Sequence, residues 1–260
     1  MKNRRKFLGK SLMIGAIMGI SGQRLSAFEP PKDKLDSEFS EIFTHFLGEI
    51  ESSSQILNPK QRTASILGAL IAAQSAYIKE FVKDCMQSSA LNAIEVREIL
   101  YQSVPYVGFG RAYSGFEAIF GAFNELKIAL PLAPQGNTNR ANRHEKGLDI
   151  QVQIFGEALR RASANASADT QHIFKFLSSN CFGDYYTRNG LSLRLRELLT
   201  FVFIASLGGC ENQLKAHTQG NLNMKNDRQI LIATLTAICP YIGYPRTLNA
   251  LSVVNEVTKG

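Results

Sequence analysis

Cys210, Gln213 and His217 follow one another at i, i+3 and i+7. On a helix these positions share a face. Gly208-Gly209 precedes them and breaks the apolar run before it, so Cys210 falls in the first turn of a new helix. Free backbone N–H groups and the helix dipole favour a thiolate there. Glu197 lies in the preceding apolar run, and antiparallel packing across the glycine pair would bring its carboxylate to His217. A carboxylate beside an imidazole fixes its tautomer and polarises it. The chemistry implied is proton transfer beside a thiol. The plainer alternatives are a packing cysteine, an ordinary hydrogen-bonded histidine and a solvated helix charge.

The elements that must position these residues occur twice. Pro105-Tyr106-Val107-Gly108-Phe109-Gly110-Arg111 returns 135 residues later as Pro240-Tyr241-Ile242-Gly243-Tyr244-Pro245-Arg246. Upstream, Asn58 to Arg62 falls opposite Ser192 to Arg196 at a spacing of 134. In that register the first copy has Thr63, Ala76, Lys79 and Lys83 where the second has Glu197, Cys210, Gln213 and His217. A duplicated scaffold with one set of reactive residues points to the second copy as the seat of chemistry.

Apolar spacing predicts helix almost throughout. Phe39, Ile42, Phe43 and Phe46 mark one helical face. Further helices are expected over 60–86 (one or two), 93–104 (ended by Pro105), 116–130, 147–162, 169–177 with Asp169 as cap, 193–207, 210–220, 228–239 and 246–257. Residues 182–191 read as a loop. Strand signals are scarce. Residues 131–142 hold two prolines and three asparagines and read as a linker. The expected organisation is a leader (1–27), a first helical unit (28–130), the linker, and a second unit (143–260), all-α.

The net charge of +7 does not spread over the chain. Residues 1–27 hold Lys2, Arg4, Arg5, Lys6, Lys10 and Arg24 and no acid; without those six, 23 basic residues face 22 acidic ones. A nucleic-acid partner thereby loses its main support. The basic start, the short apolar stretch 12–20 and Leu25-Ser26-Ala27 read as a signal peptide rather than an anchor. Arg4-Arg5-Lys6-Phe7-Leu8 resembles a twin-arginine export signal, which implies a periplasmic protein with no membrane attachment after cleavage. The cysteines Cys85, Cys181, Cys210 and Cys239 form no CxxC, which excludes a zinc ribbon or paired redox motif. An exported chain permits disulfides, Cys181–Cys210 among the possible pairings. Cys239, in an apolar run, reads as a buried small hydrophobe.

Arg196-Glu197-Leu198-Leu199, Leu207-Gly208-Gly209-Cys210-Glu211-Asn212-Gln213-Leu214-Lys215-Ala216-His217 and Pro240 to Ala250 together resemble the carboxymuconolactone decarboxylase family and the related alkylhydroperoxidase-D-like proteins. Arg143-His144-Glu145-Lys146-Gly147-Leu148, Phe182 to Leu191, Glu95 to Leu100 and Pro105 to Arg111 extend the likeness over most of 55–258. The resemblance implies two tandem alkylhydroperoxidase-D-like helical units, no cofactor, no metal, and a homo-oligomer in which three two-unit chains mimic a hexamer. For the decarboxylase branch it implies a small carboxylated lactone-like substrate. His217 would then be general acid/base, Glu197 its orienter, and Cys210 and Gln213 pocket lining. Arg188, Arg194, Arg246 and Tyr186 would bind substrate, a guanidinium fork matching a carboxylate. The peroxidase branch uses CxxC followed by histidine. Here Gln213 stands at the second cysteine and no neighbouring thiol can resolve a sulfenic acid, so only single-cysteine chemistry at Cys210 is open. A non-enzymatic helical binding protein is the third expectation.

Overall fold

The computed structural model describes residues 36–160 and 167–259. The leader falls outside the described residues. Among the described residues the fold is all-α, without strands. The helices are α1 (Ser37–Ser53), α2 (Pro59–Ala72), α3 (Ile78–Gln87), α4 (Ala93–Val107), α5 (Phe109–Glu125), α6 (Arg143–Phe155), α7 (Gln171–Phe176), the π-helical α8 (Leu177–Tyr186), α9 (Leu193–Leu207), α10 (Glu211–Asn223), α11 (Arg228–Ile242) and α12 (Tyr244–Thr258). Among the described residues no helix is long and apolar enough to cross a membrane.

Local chemistry sets the helix starts. Asn58 and Asn92 begin α2 and α4 with capping boxes closed by Gln61 and Glu95. Ser192 and Asp227 begin α9 and α11 by accepting the N–H of Leu195 and Ile230. Such caps contribute about 0.5–2 kcal/mol each. They fall at the repeat spacing, Asn58 opposite Ser192 and Asn92 opposite Asp227. Gly108 and Gly243 end α4 and α11 at φ +79° and +81°, a region that other residues avoid.

Helices α2 and α9 form the centre. Nearly every residue of α9 from Leu195 to Ser206 is buried, as is α2 from Thr63 on, apart from half-buried Ile66. Helices apolar all round belong in a core. They cross closely at Gly68, where a Cβ would meet Phe203, Val202 and Leu199 at 3.1–3.4 Å. α4 packs on α9, and α11 packs on α2. α5 lies on α3 and α4 as α12 lies on α10 and α11. Arg62 donates to the Ser54 carbonyl, and Arg196 donates to the Arg188 carbonyl, each eight residues upstream.

Several expected boundaries move. Pro105 sits inside the last turn of α4 instead of ending it, and Pro240 does the same in α11. Each lacks an N–H and so removes one hydrogen bond from its helix. α5 starts at Phe109, seven residues before the expected start, because Gly108 reverses the chain at once. α7 has no side-chain cap and starts after Thr170, not Asp169. Residues 182–186, expected as loop, continue the π-helical α8. There Gly147 and Gly183 let α6 and α8 touch backbone to backbone: a Cβ on either would collide with the carbonyl oxygen of Ser178 or Arg143.

Candidate functional site

The only charged or strongly polar side chains of α9's inward surface are Arg196, Glu197, Thr200 and Ser206, all buried. A buried charge persists only when paired and hydrogen-bonded. Glu197 is wholly enclosed, and its Oε1 lies 2.7 Å from His217 Nδ1 on α10. Its Oε2 accepts from the Tyr186 hydroxyl at 2.8 Å. A carboxylate only accepts, so Nδ1 carries the hydrogen and Nε2 is the nitrogen left for exchange.

Asn221 fixes the two helices in register. Its Nδ2 donates to the Glu197 carbonyl at 3.0 Å and to the His217 carbonyl at 2.7 Å. The imidazole is then walled by aromatic rings. Phe155 of α6 lies edge-on with centroids 5.2 Å apart, and Tyr106 of α4 does so at 5.8 Å.

Behind the carboxylate lies a hydroxyl cluster. The Tyr186 hydroxyl meets Thr200 Oγ1 in a short hydrogen bond. Thr200 Oγ1 also accepts from Gln102 Nε2 at 3.1 Å. The Cys181 thiol donates to the Tyr106 hydroxyl at 3.3 Å. Burial, with Glu197's charge adding to it, raises both Tyr106 and Tyr186 well above the ordinary tyrosine value. Burial likewise pushes the Cys181 thiol up to about 12. These hydroxyls and this thiol therefore stay protonated at neutral pH and act as fixed dipoles.

The structure brings together Glu197, His217 and Tyr186 of the residues expected at the site. Cys210 is half-buried at the N-cap of α10, and Gln213 is exposed on that helix. Arg188 grips Glu98 of α4 with two bonds, at 2.8 and 3.0 Å, and its guanidinium lies over the Tyr101 ring. Arg246 is exposed beside the glycine pair, its Nε donating to the Leu207 carbonyl at 3.3 Å. Gly208 and Gly209 both adopt φ +71°, which turns the chain from α9 into α10. All four cysteines are free thiols, and Cys239 is buried as expected. Among the described residues no group of three or more His, Cys, Asp or Glu is placed to hold a metal ion.

Sequence reasoning missed Tyr106, Phe155, Asn221 and Thr200. Asn221 and Thr200 carried a usable signal: each stands one turn from His217 or Glu197 on the same helix face. Tyr106 sits in the repeated Pro-Tyr motif, but nothing in its spacing says that it crosses to the other copy.

The chain is 26% identical over 122 residues to the 4-carboxymuconolactone decarboxylase of Acinetobacter baylyi, an alignment that covers 46% of this chain and 90% of that protein. Residues 171–256, which contain Tyr186, Glu197, His217 and Asn221, match the Carboxymuconolactone decarboxylase family.

Proposed function

We propose that this protein is a cofactor-independent lyase that removes CO2 from a small carboxylated, lactone-like molecule. The observation that carries the reading is the enclosed Glu197–His217 pair within the family-matched segment. In such a reaction the bond to the carboxylate breaks, CO2 leaves, and the electron pair passes into the conjugated system. A proton must then reach carbon. His217 delivers it from Nε2 and recovers it from solvent, while Glu197 holds Nδ1 and steadies the imidazolium. Of the arginines expected to bind substrate, Arg188 is committed to Glu98 and Arg194 donates to Asn226; Arg246, exposed beside the glycine pair, is assigned the substrate's charge. The same proposal sends the chain out of the cytoplasm through its leader and assembles it as a homo-oligomer.

The test is turnover of 4-carboxymuconolactone, followed by CO2 release. Wild type should be active, and His217→Ala should lose roughly 10²–10⁴-fold with its helical circular dichroism intact. Equal rates in the two proteins would remove His217 from the mechanism. A wild type inactive on every carboxylated lactone offered would remove the lyase reading itself.

A further inference from the structure

We propose that Gly220 is a positioning residue: it clears the seat of the Glu197 carboxylate and so fixes the His217 imidazole. The inference rests on the reading that the Glu197–His217 pair is the working site.

Gly220 lies inside α10, three residues after His217. Its backbone is ordinary helix, so no unusual φ calls for glycine. Glycine weakens a helix interior relative to alanine, so its presence there needs a spatial reason. The surroundings supply one. A Cβ at this position would stand 2.5 Å from Glu197 Oε1, 2.9 Å from Ile154 Cγ2 and 3.0 Å from Phe155 Cε1. Oε1 is the oxygen that holds His217 Nδ1, and Phe155 is one of the rings that wall the imidazole. One methyl would therefore press on two of the groups that orient His217.

Glu197 has nowhere to retreat. It is fully buried, its Oε2 is held by Tyr186, and its carbonyl is tied to Asn221. The other copy of the repeat supports the same conclusion. There Thr63 replaces Glu197, and Cys85-Met86 occupies the register of Gly220. The copy that has the carboxylate has the glycine, and the copy that lacks the one lacks the other.

The experiment compares Gly220→Ala, Glu197→Thr and the double variant. The first readout needs no substrate: the downfield Nδ1 proton resonance of an imidazole bonded to a carboxylate. Gly220→Ala should lose that resonance, and kcat should fall at least about tenfold with KM within about threefold. In the Glu197→Thr background, where the carboxylate is gone, the same Gly220→Ala change should lower the thermal midpoint much less than it does in wild type. Should Gly220→Ala fail to fold, recovery of folding in the double variant supports the proposal.

Three results overturn it. One is a retained resonance with a retained rate. Another is an equal loss of thermal midpoint in both backgrounds, which would assign the space to Ile154 and Phe155 alone. The third is a double variant that also fails to fold. Absence of lactone turnover in wild type sinks the lyase reading only, because the resonance decides the role of Gly220 separately.

Discussion

Tyr106, on α4, packs edge-on against the imidazole of His217 on α10, with ring centroids 5.8 Å apart. The site is therefore built by helices from both sides of the 131–142 segment. α4 reaches α9 and its neighbours just as α11 reaches α2, so the tyrosine of each Pro-Tyr motif lands in the opposite half. The counterpart, Tyr241, lies within electrostatic reach of Arg62 on α2. In that half Thr63 and Lys83 stand where the carboxylate and imidazole would be. The Glu–His contact on α1, His45 with Glu49, is exposed to solvent, whereas Tyr106 of α4 helps to enclose the buried Glu197–His217 pair.

Replacing Tyr106 should damage a site 111 residues away in sequence. Tyr106→Phe keeps the ring against His217 but strands the Cys181 thiol, at a cost of about 1–3 kcal/mol for a buried group left without its partner. Tyr106→Ala also opens a void beside the imidazole and should cost about 3–5 kcal/mol. Urea unfolding of the two variants checks the order. A Tyr106→Ala protein as stable as wild type would mean that the ring does not pack as described.

Tyr186→Phe tests the other arm of the carboxylate. It removes the hydroxyl that donates to Glu197 Oε2 and leaves Thr200 short of a partner. Glu197 would then be held by His217 alone. We expect a loss of about 1–3 kcal/mol and a lower kcat, with Thr200→Val weaker in both because it leaves the Tyr186–Glu197 bond in place. Parallel denaturation and rate measurements decide; a Thr200→Val effect larger than that of Tyr186→Phe would contradict this order.

The four thiols should separate by accessibility. Burial pushes Cys85 and Cys181 up to about 12, and Cys239 is buried among apolar neighbours. Only Cys210 is half-exposed. Iodoacetamide at pH 8 should label Cys210 alone in the native protein and all four in urea, as read by mass spectrometry of peptides. Cys210→Ser should keep lyase turnover within about threefold, since no contact ties this thiol to the Glu–His pair. A large loss of turnover, or a sulfenate trapped at Cys210 under peroxide, would shift the chemistry to the thiol.

The helical character of the chain was readable because its apolar residues keep a helical period and its turns carry Gly, Asn and Asp where caps need them. The spans expected for α9 and the observed Leu193–Leu207 coincide for that reason. Residues 182–186 misled for an equally physical cause. Gly183, Asp184 and two tyrosines look like a loop, yet Gly183 serves backbone contact with α6 rather than a turn. Glu197 and His217 could be paired from sequence because they lie on the two helices joined by one glycine hinge. Arg188 reads from the sequence as a substrate ligand; its partner Glu98 is not foreseen, because it lies 90 residues away on a helix whose facing side no local spacing reveals. An arginine fork suits a substrate carboxylate and a protein carboxylate equally well.

That same Glu98 gives the fold its acid sensitivity. Burial alone would raise its carboxyl, but the hydrogen bonds and charge of Arg188, then of Arg196, outweigh burial and hold it below the ordinary value. A carboxyl lowered in the folded state stabilises the fold above its unfolded value of about 4.3, and that stability is lost as pH falls through the folded value. Unfolding free energy should thus be level from neutral pH to about pH 5 and decline below about pH 4.3. Glu98→Gln should flatten that acid decline. At neutral pH it should be the less stable protein by about 3–5 kcal/mol, because buried Arg196 and half-buried Arg188 would lose this counter-charge. Urea unfolding at pH 7, 5, 4 and 3 of both proteins separates the two effects. An acid limb as steep in Glu98→Gln as in wild type would move the proton uptake to other carboxylates.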